Sequence, residues 1–154
     1  MDKARQLKTL LSLVIIALGV LILVMLGEHF RSDPAKTLNS DPECDISQNV
    51  CSAQNRTRNV QLAIVTRPVA SMVPLTFEVT LTDIQADQVI VDLQGVEMYM
   101  GLHRVELTPS DDGQHWRGTL TLALCTSGEM RWQAVVQARQ GQKETLASFA
   151  FSAR

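Results

Sequence analysis

An all-β domain of about seven short strands, arranged as an immunoglobulin-like sandwich behind one N-terminal transmembrane helix, is the fold the sequence predicts. Three observations predict it. Apolar residues beyond Arg58 recur at every second position, polar turn signals break that pattern at short intervals, and one uncharged apolar run stands near the N-terminus. A chain of 154 residues, 45% hydrophobic and 19% charged, allows one domain of ordinary size plus a short appendage. Its formal net charge of −2 lacks the basic excess that nucleic-acid binding requires, which removes that class of partner.

No charged residue occurs between Thr9 and Gly27, where Leu, Ile and Val dominate. At about 1.5 Å per helical residue this run can cross a hydrocarbon core about 30 Å thick, so residues 9–27 are expected to form a transmembrane anchor. Lys3, Arg5 and Lys8 precede it, whereas Glu28, Asp33 and Asp41 follow it. The positive-inside rule then keeps residues 1–8 in the cytoplasm and exports the remainder. A cleaved signal peptide would have an apolar region of about 7 to 15 residues and a small-x-small cleavage site. This run is longer and exits through Val24-Met-Leu-Gly-Glu-His-Phe.

Residues 28–57 carry Ser32-Asp-Pro, Asn39-Ser-Asp-Pro and Asn55-Arg-Thr with few large apolar side chains, so a flexible linker without a core of its own is expected there. The sandwich is expected over 58–154. Leu75, Phe77, Val79 and Leu81 alternate with Thr76, Glu78 and Thr80, the signature of a strand with one buried face. Val60 to Val65, Val89 to Leu93, His103 to Thr108, Trp116 to Leu124, Trp132 to Val136 and Phe149 with Phe151 supply the other strands. Asp111-Asp112-Gly113 is expected to turn the hairpin that joins the strand at His103 to the one at Trp116. Trp116 and Trp132 fall on inward-facing parities and are assigned to the core.

The chain has no Gly-rich phosphate loop, dinucleotide fingerprint, His-Glu-x-x-His or Gly-x-Ser-x-Gly, so no catalytic residue is assigned and an enzyme is not expected. The strongest candidate site is Glu97-Met-Tyr-Met-Gly-Leu-His103, followed later by Cys125 and Met130. Thioethers, a thiolate and an imidazole are soft ligands that favour Cu(I). On a strand, Met98 and Met100 would point the same way, and His103 would join them only if Gly101 introduced a bulge. Met98, Met100, His103 and Cys125 are therefore the candidate metal ligands, with copper as the candidate cofactor. The competing reading packs both methionines in the core and uses His103 to cap a strand.

Three cysteines in an oxidising compartment cannot all pair within one chain. Cys44 and Cys51 lie close enough in the linker to close a short loop, which leaves Cys125 free. The alternative bonds one linker cysteine to Cys125 and pins the linker to the domain. A thioredoxin-like oxidoreductase would carry Cys-x-x-Cys, which is absent.

The basic N-terminus, single anchor and small sandwich contain Met98-Tyr-Met-Gly-Leu-His, Gly113-Gln-His-Trp-Arg-Gly and Gly128-Glu-Met-Arg-Trp-Gln-Ala-Val-Val. In this combination the chain resembles the FixH and YtkA-like proteins, most closely over residues 95–138. The final motif departs from the family's spacing, with two further residues between Gly128 and Trp132. The resemblance implies a bacterial inner-membrane protein with a periplasmic domain, associated with copper supply and the assembly of a respiratory haem–copper oxidase. Its partners would be the membrane and other membrane or periplasmic proteins, oxidase subunits among them. The rival expectation is a metal-free interaction module that uses exposed edge strands to hold partner proteins.

Overall fold

A computed structural model describes residues 11–23, 37–123 and 128–153 of the chain. It divides into two compact units, Met1–Pro34 and Ala35–Arg154. In the first, residues 11–23 form a helix, α1, whose large apolar side chains are more than half exposed throughout. No helix among the described residues is long and apolar enough to cross a membrane. Residues 9, 10 and 24–27 of the expected anchor lie outside the described residues, as does Cys125.

The second unit is all-β. Its strands are β1 (Thr37–Ser40), β2 (Cys51–Asn55), β3 (Arg58–Ile64), β4 (Pro74–Thr82), β5 (Gln88–Gly95), β6 (His103–Glu106), β7 (Thr108–Pro109), β8 (His115–Thr121), β9 (Met130–Gln140) and β10 (Lys143–Ala153). They follow the order β6-β5-β9-β10-β1-β2-β3-β4-β8-β7. All neighbours are antiparallel except β1 and β10, which run parallel with Thr37 opposite Leu146.

Alternation translates directly into burial. Leu75, Phe77, Val79 and Leu81 of β4 are fully buried, as are Val89, Val91 and Leu93 of β5 and Trp132, Ala134 and Val136 of β9. These side chains belong to one core shared by both halves of the strand order. Successive residues of a strand face opposite ways, so a single slip of register would expose the whole set.

Ten strands replace the expected count of about seven for two reasons. The run His103 to Thr108 breaks at Leu107, whose amide donates to the Val89 carbonyl at 2.8 Å, so β6 pairs with β5 and β7 with β8. The edges of the strand order are thus strands of four and two residues in one continuous stretch of chain, and no long edge strand is on offer.

The second reason corrects the expected linker. Residues 37–57 form β1 and β2 and contribute Leu38, Ile46, Cys51 and Ala53 to the core, which sets the domain boundary near Ala35 rather than at residue 58. Polar turn residues dominate this segment, but isolated apolar ones are enough to dock it. Ile46 is fully buried, and its amide donates to the Ala150 carbonyl at 3.2 Å. A Cys44–Cys51 disulfide fastens the β1–β2 connection to the start of β2, with Cα atoms 5.8 Å apart.

The two ends of the domain differ in chemistry. At one end the connections β2–β3, β4–β5, β7–β8 and β9–β10 are polar, and Gly141 N donates to Asp87 Oδ2 at 3.1 Å. At the other end lie the β1–β2, β3–β4 and β5–β6 connections and the start of β9. All eight exposed large apolar side chains described in this unit sit at that second end. Val50, Val65, Met72 and Val73 flank β2, β3 and β4, and Val96, Met98, Tyr99 and Leu102 occupy the β5–β6 connection.

At the polar end Asp111-Asp112-Gly113 makes a turn as expected, but it joins β7 to β8 while the strand at His103 pairs with β5 instead, and Gly113 has a φ of 66° that an L side chain adopts only under strain. The Asp112 carboxylate gathers the turn. It accepts from Gln114 N at 2.9 Å, lies 2.7 Å from His115 Nδ1, and accepts from His115 N at 3.1 Å and the Ser110 hydroxyl at 2.8 Å. These bonds, led by the one from Gln114, hold its carboxyl well below the usual carboxylate range. A depressed native pKa means that the contribution to stability is complete above the ordinary Asp value of about 3.9 and is lost as pH falls through the native one. A carboxyl-carbon NMR titration should give Asp112 a midpoint below the ordinary aspartate value of about 3.9. Asp112→Asn should flatten the acid limb of a stability profile, and an ordinary midpoint would refute the hydrogen-bonded turn.

Candidate metal centre

Strand register brings the candidate residues to the apolar end of the core. Leu93 lies opposite both His103 and Ala134, and Gly95 lies opposite Trp132. Side chains directly across a ladder share a face, and so do residues two apart on one strand. His103, Gly95, Trp132 and Met130 therefore all face inward. Met130 and Trp132 are buried, the latter completely.

Gly95 ends β5 and leaves a space that no other residue could leave. A Cβ there would collide with Met130 Cε and with the backbone oxygen of Met98, and would lie 3.0 Å from Met100 Cγ. The absent side chain lets Met100 and Met130 close on the same spot. Beyond it, residues 96–102 form an irregular connection rather than a strand. Two ties hold its base: Val96 N donates to the Arg131 carbonyl at 3.0 Å, and Glu97 Oε2 accepts from Arg131 N at 3.2 Å.

This changes the expected two-armed clamp. Because Met98 and Met100 are not on a strand, their spacing does not align them. Met98 is about half exposed, at 49%, while Met100 packs against the core. Gly101 does redirect the chain ahead of His103, but through a φ of 86° in a loop rather than through a strand bulge. Met130 takes the place beside Met100 that the spacing suggested for Met98. The inward parity it shares with Trp132 was the signal for it.

The His103 ring lies 5.9 Å from the Trp132 ring at an interplanar angle of 60°, and Trp132 stacks on Phe151 at 6.4 Å and 18°. His103 Nε2 and Trp132 Nε1 are both buried without a hydrogen-bond partner. Buried polar atoms are nearly always paired, because an unpaired one costs about 1–3 kcal/mol, so an orphaned imidazole nitrogen on the same inward face as Met130 is informative. Among the described residues no three His, Cys, Asp or Glu side chains converge to hold a metal ion. Among the described residues the side chains on offer here are one imidazole and thioethers, a soft set that suits Cu(I) and is poor for Mg(II) or Ca(II).

The outward side of the same strands carries a different group. Asp92 is buried and accepts from Arg104 Nη2 at 3.1 Å and Gln94 Nε2 at 3.2 Å. This ion pair borders a groove together with Gly95, Met98, Tyr99 and Met100. Because Asp92 is on β5 and Arg104 on β6, the pair serves to hold β6 on β5.

The fold and the site define the class of protein: an all-β domain with one disulfide and methionine side chains gathered at its apolar end. No known protein family matches the chain, and neither a curated protein nor a solved structure is similar to it.

Proposed function

We propose that the chain is a single-pass bacterial inner-membrane protein, with its N-terminus in the cytoplasm and an immunoglobulin-like sandwich in the periplasm, that holds Cu(I) as an accessory to haem–copper oxidase assembly. It acts as a carrier and not as an enzyme. The observation that carries the reading is the orphaned His103 Nε2, which faces inward as Met130 does, together with the methionine side chains gathered at Gly95. His103, Met100 and Met130 would hold the ion, and the Trp132 face would shield it, as aromatic faces do for cations. Bound there, Cu(I) would be kept from oxidation and from water. The anchor reading is supported by the exposed apolar side chains of α1 and by Lys3, Arg5 and Lys8 ahead of it. The oxidase and the periplasm come from the resemblance to the FixH and YtkA-like proteins.

The full chain in mild detergent under reducing conditions is titrated with Cu(I) against a chromophoric Cu(I) chelator. One equivalent should bind, with sulfur and nitrogen scatterers in its X-ray absorption spectrum. Met100→Leu with Met130→Leu conserves volume, so the fold should survive. The affinity should nevertheless fall by more than the roughly 10–100-fold that loss of an outer-shell partner costs. Met98→Leu should have a much smaller effect. Wild-type affinity in the double variant, or no Cu(I) binding by the wild type, would sink the reading, and Cys125→Ser decides whether that thiol takes part.

A further inference from the structure

A carrier needs a place where it meets its acceptor, and the apolar end of the domain has two properties that select one. First, exposed apolar side chains are confined to it: Tyr99 and Leu102 are 84% and 74% exposed, and Met72 and Val96 are each more than half exposed. A loop closed only by its own contacts would turn such residues inward, and a contiguous exposed patch of this kind marks an interaction surface. The end is continuous across its connections. Met72 N donates to the Leu122 carbonyl at 3.1 Å, Asp45, Pro68 and Glu129 border one cavity, and the base of the 96–102 loop is tied to Arg131.

Second, the charges around this end are predominantly acidic. Among the described residues Asp41, Glu43, Asp45, Glu97 and Glu129 stand there against Arg67 and Arg131, and Arg104 is paired with Asp92. A second copy of the same chain would bring one acidic rim against another, and an anionic bilayer surface would be repelled for the same reason. A partner with an apolar centre ringed by Lys and Arg gains on both counts.

We propose that the apolar end, with Tyr99 and Leu102 as its most exposed apolar side chains and acidic residues around it, is the docking face for a separate protein whose contact surface is apolar and basic-rimmed. The inference rests on the accessory reading for what passes between the two proteins. It does not rest on the metal for the contact itself. Met100 belongs to the 96–102 loop and, with Met130, closes on Gly95 at its base, so a partner seated on this face stands next to the proposed ion without crossing the core.

The test places a photo-crosslinking amino acid at Tyr99 or Leu102 of the full chain in its native membranes, with Glu78 on the outer face of β4 as the control position. The expected result is one discrete adduct from Tyr99 and Leu102, absent from Glu78, whose crosslinked peptide maps to an apolar surface flanked by Lys or Arg. Raising the ionic strength to about 0.5 M, where the Debye length is only a few ångströms, should reduce it several-fold. Glu43→Lys should reduce it as well. Adducts with a second copy of the chain, with lipid, with a partner of acidic or neutral surface, or with nothing would overturn the proposal. A His103→Ala background separates the two readings: an adduct that persists while Cu(I) binding is lost leaves the docking face standing without the metal, and intact Cu(I) binding without an adduct rejects the docking face alone.

Discussion

Trp132→Ala is expected to destabilise the domain by about 3–5 kcal/mol, the range for removing a fully buried tryptophan. The reason is position. Trp132 is completely buried, stacks on Phe151, touches the His103 ring and lies across the ladder from Gly95, so neighbours on three strands lose contacts when the indole is removed. The gap cannot be refilled from β5, because Gly95 has no side chain to send. Trp132→Phe should be much milder, costing less than about 1.5 kcal/mol, since it keeps an aromatic ring against Phe151 and deletes an indole N–H that has no partner. Urea denaturation of the two variants checks both values, and an alanine cost below about 1 kcal/mol would mean that the indole is not packed as described.

Removing the disulfide should be the next largest effect. Cys44 and Cys51 are separated by 7 in sequence, and closing so short a loop restricts the unfolded chain by about 2–3 kcal/mol. The native side adds to this, because the connection it fastens carries Ile46 into the core and pairs Asp45 with Ala150. Cys44→Ser with Cys51→Ala should lower the melting temperature by about 10 °C or more, given a few degrees per kcal/mol for a domain of this size. Mild reduction of the wild-type protein should produce the same shift. Amide exchange at Ile46 should accelerate more than exchange in β9, and equal acceleration would show that the bond does not act locally.

The strands were legible where side chains alternate over several positions. The runs with period two from Val60 to Phe151 are found in strands, with the run from His103 divided at Leu107, because burying one face of a pleated ribbon demands that pattern and few other arrangements produce it. β1 and β2 were not legible. Among Asn, Ser and Gln, β1 carries one buried apolar side chain, Leu38, and β2 carries two, Cys51 and Ala53; what holds them is the pairing of β1 with β10, far away in the sequence, and the hairpin of β2 with β3. Composition reports the local chain and not the partner strand.

The candidate site was legible in part. His103 and Met100 stand out by chemistry alone, and Cys44 with Cys51 by spacing. Met98 looked equivalent to Met100 because parity arguments assume a strand, and the chain leaves β5 at Gly95 before reaching either. Met130 shows locally only the inward parity it shares with Trp132. It comes alongside Met100 only because β9 runs antiparallel to β5, and Gly95 lies opposite Trp132.

One feature of the fold bears on what the protein does in a crowded compartment. A sheet with open sides carries rows of unpaired amides that template growth by another chain, which is how fibres and swapped oligomers begin. Here the first and last strands in the order are separated in the chain only by Leu107, and Gly118 of β8 makes room for Val105 of β6, its absent Cβ lying where the Val105 Cγ2 would be 3.2 Å away. The chain turns its own margin inward at the place where polymerisation would start. Crowding can therefore bring copies together without giving them backbone to zip along, and the protein can expose oily loops at one end while remaining a discrete particle.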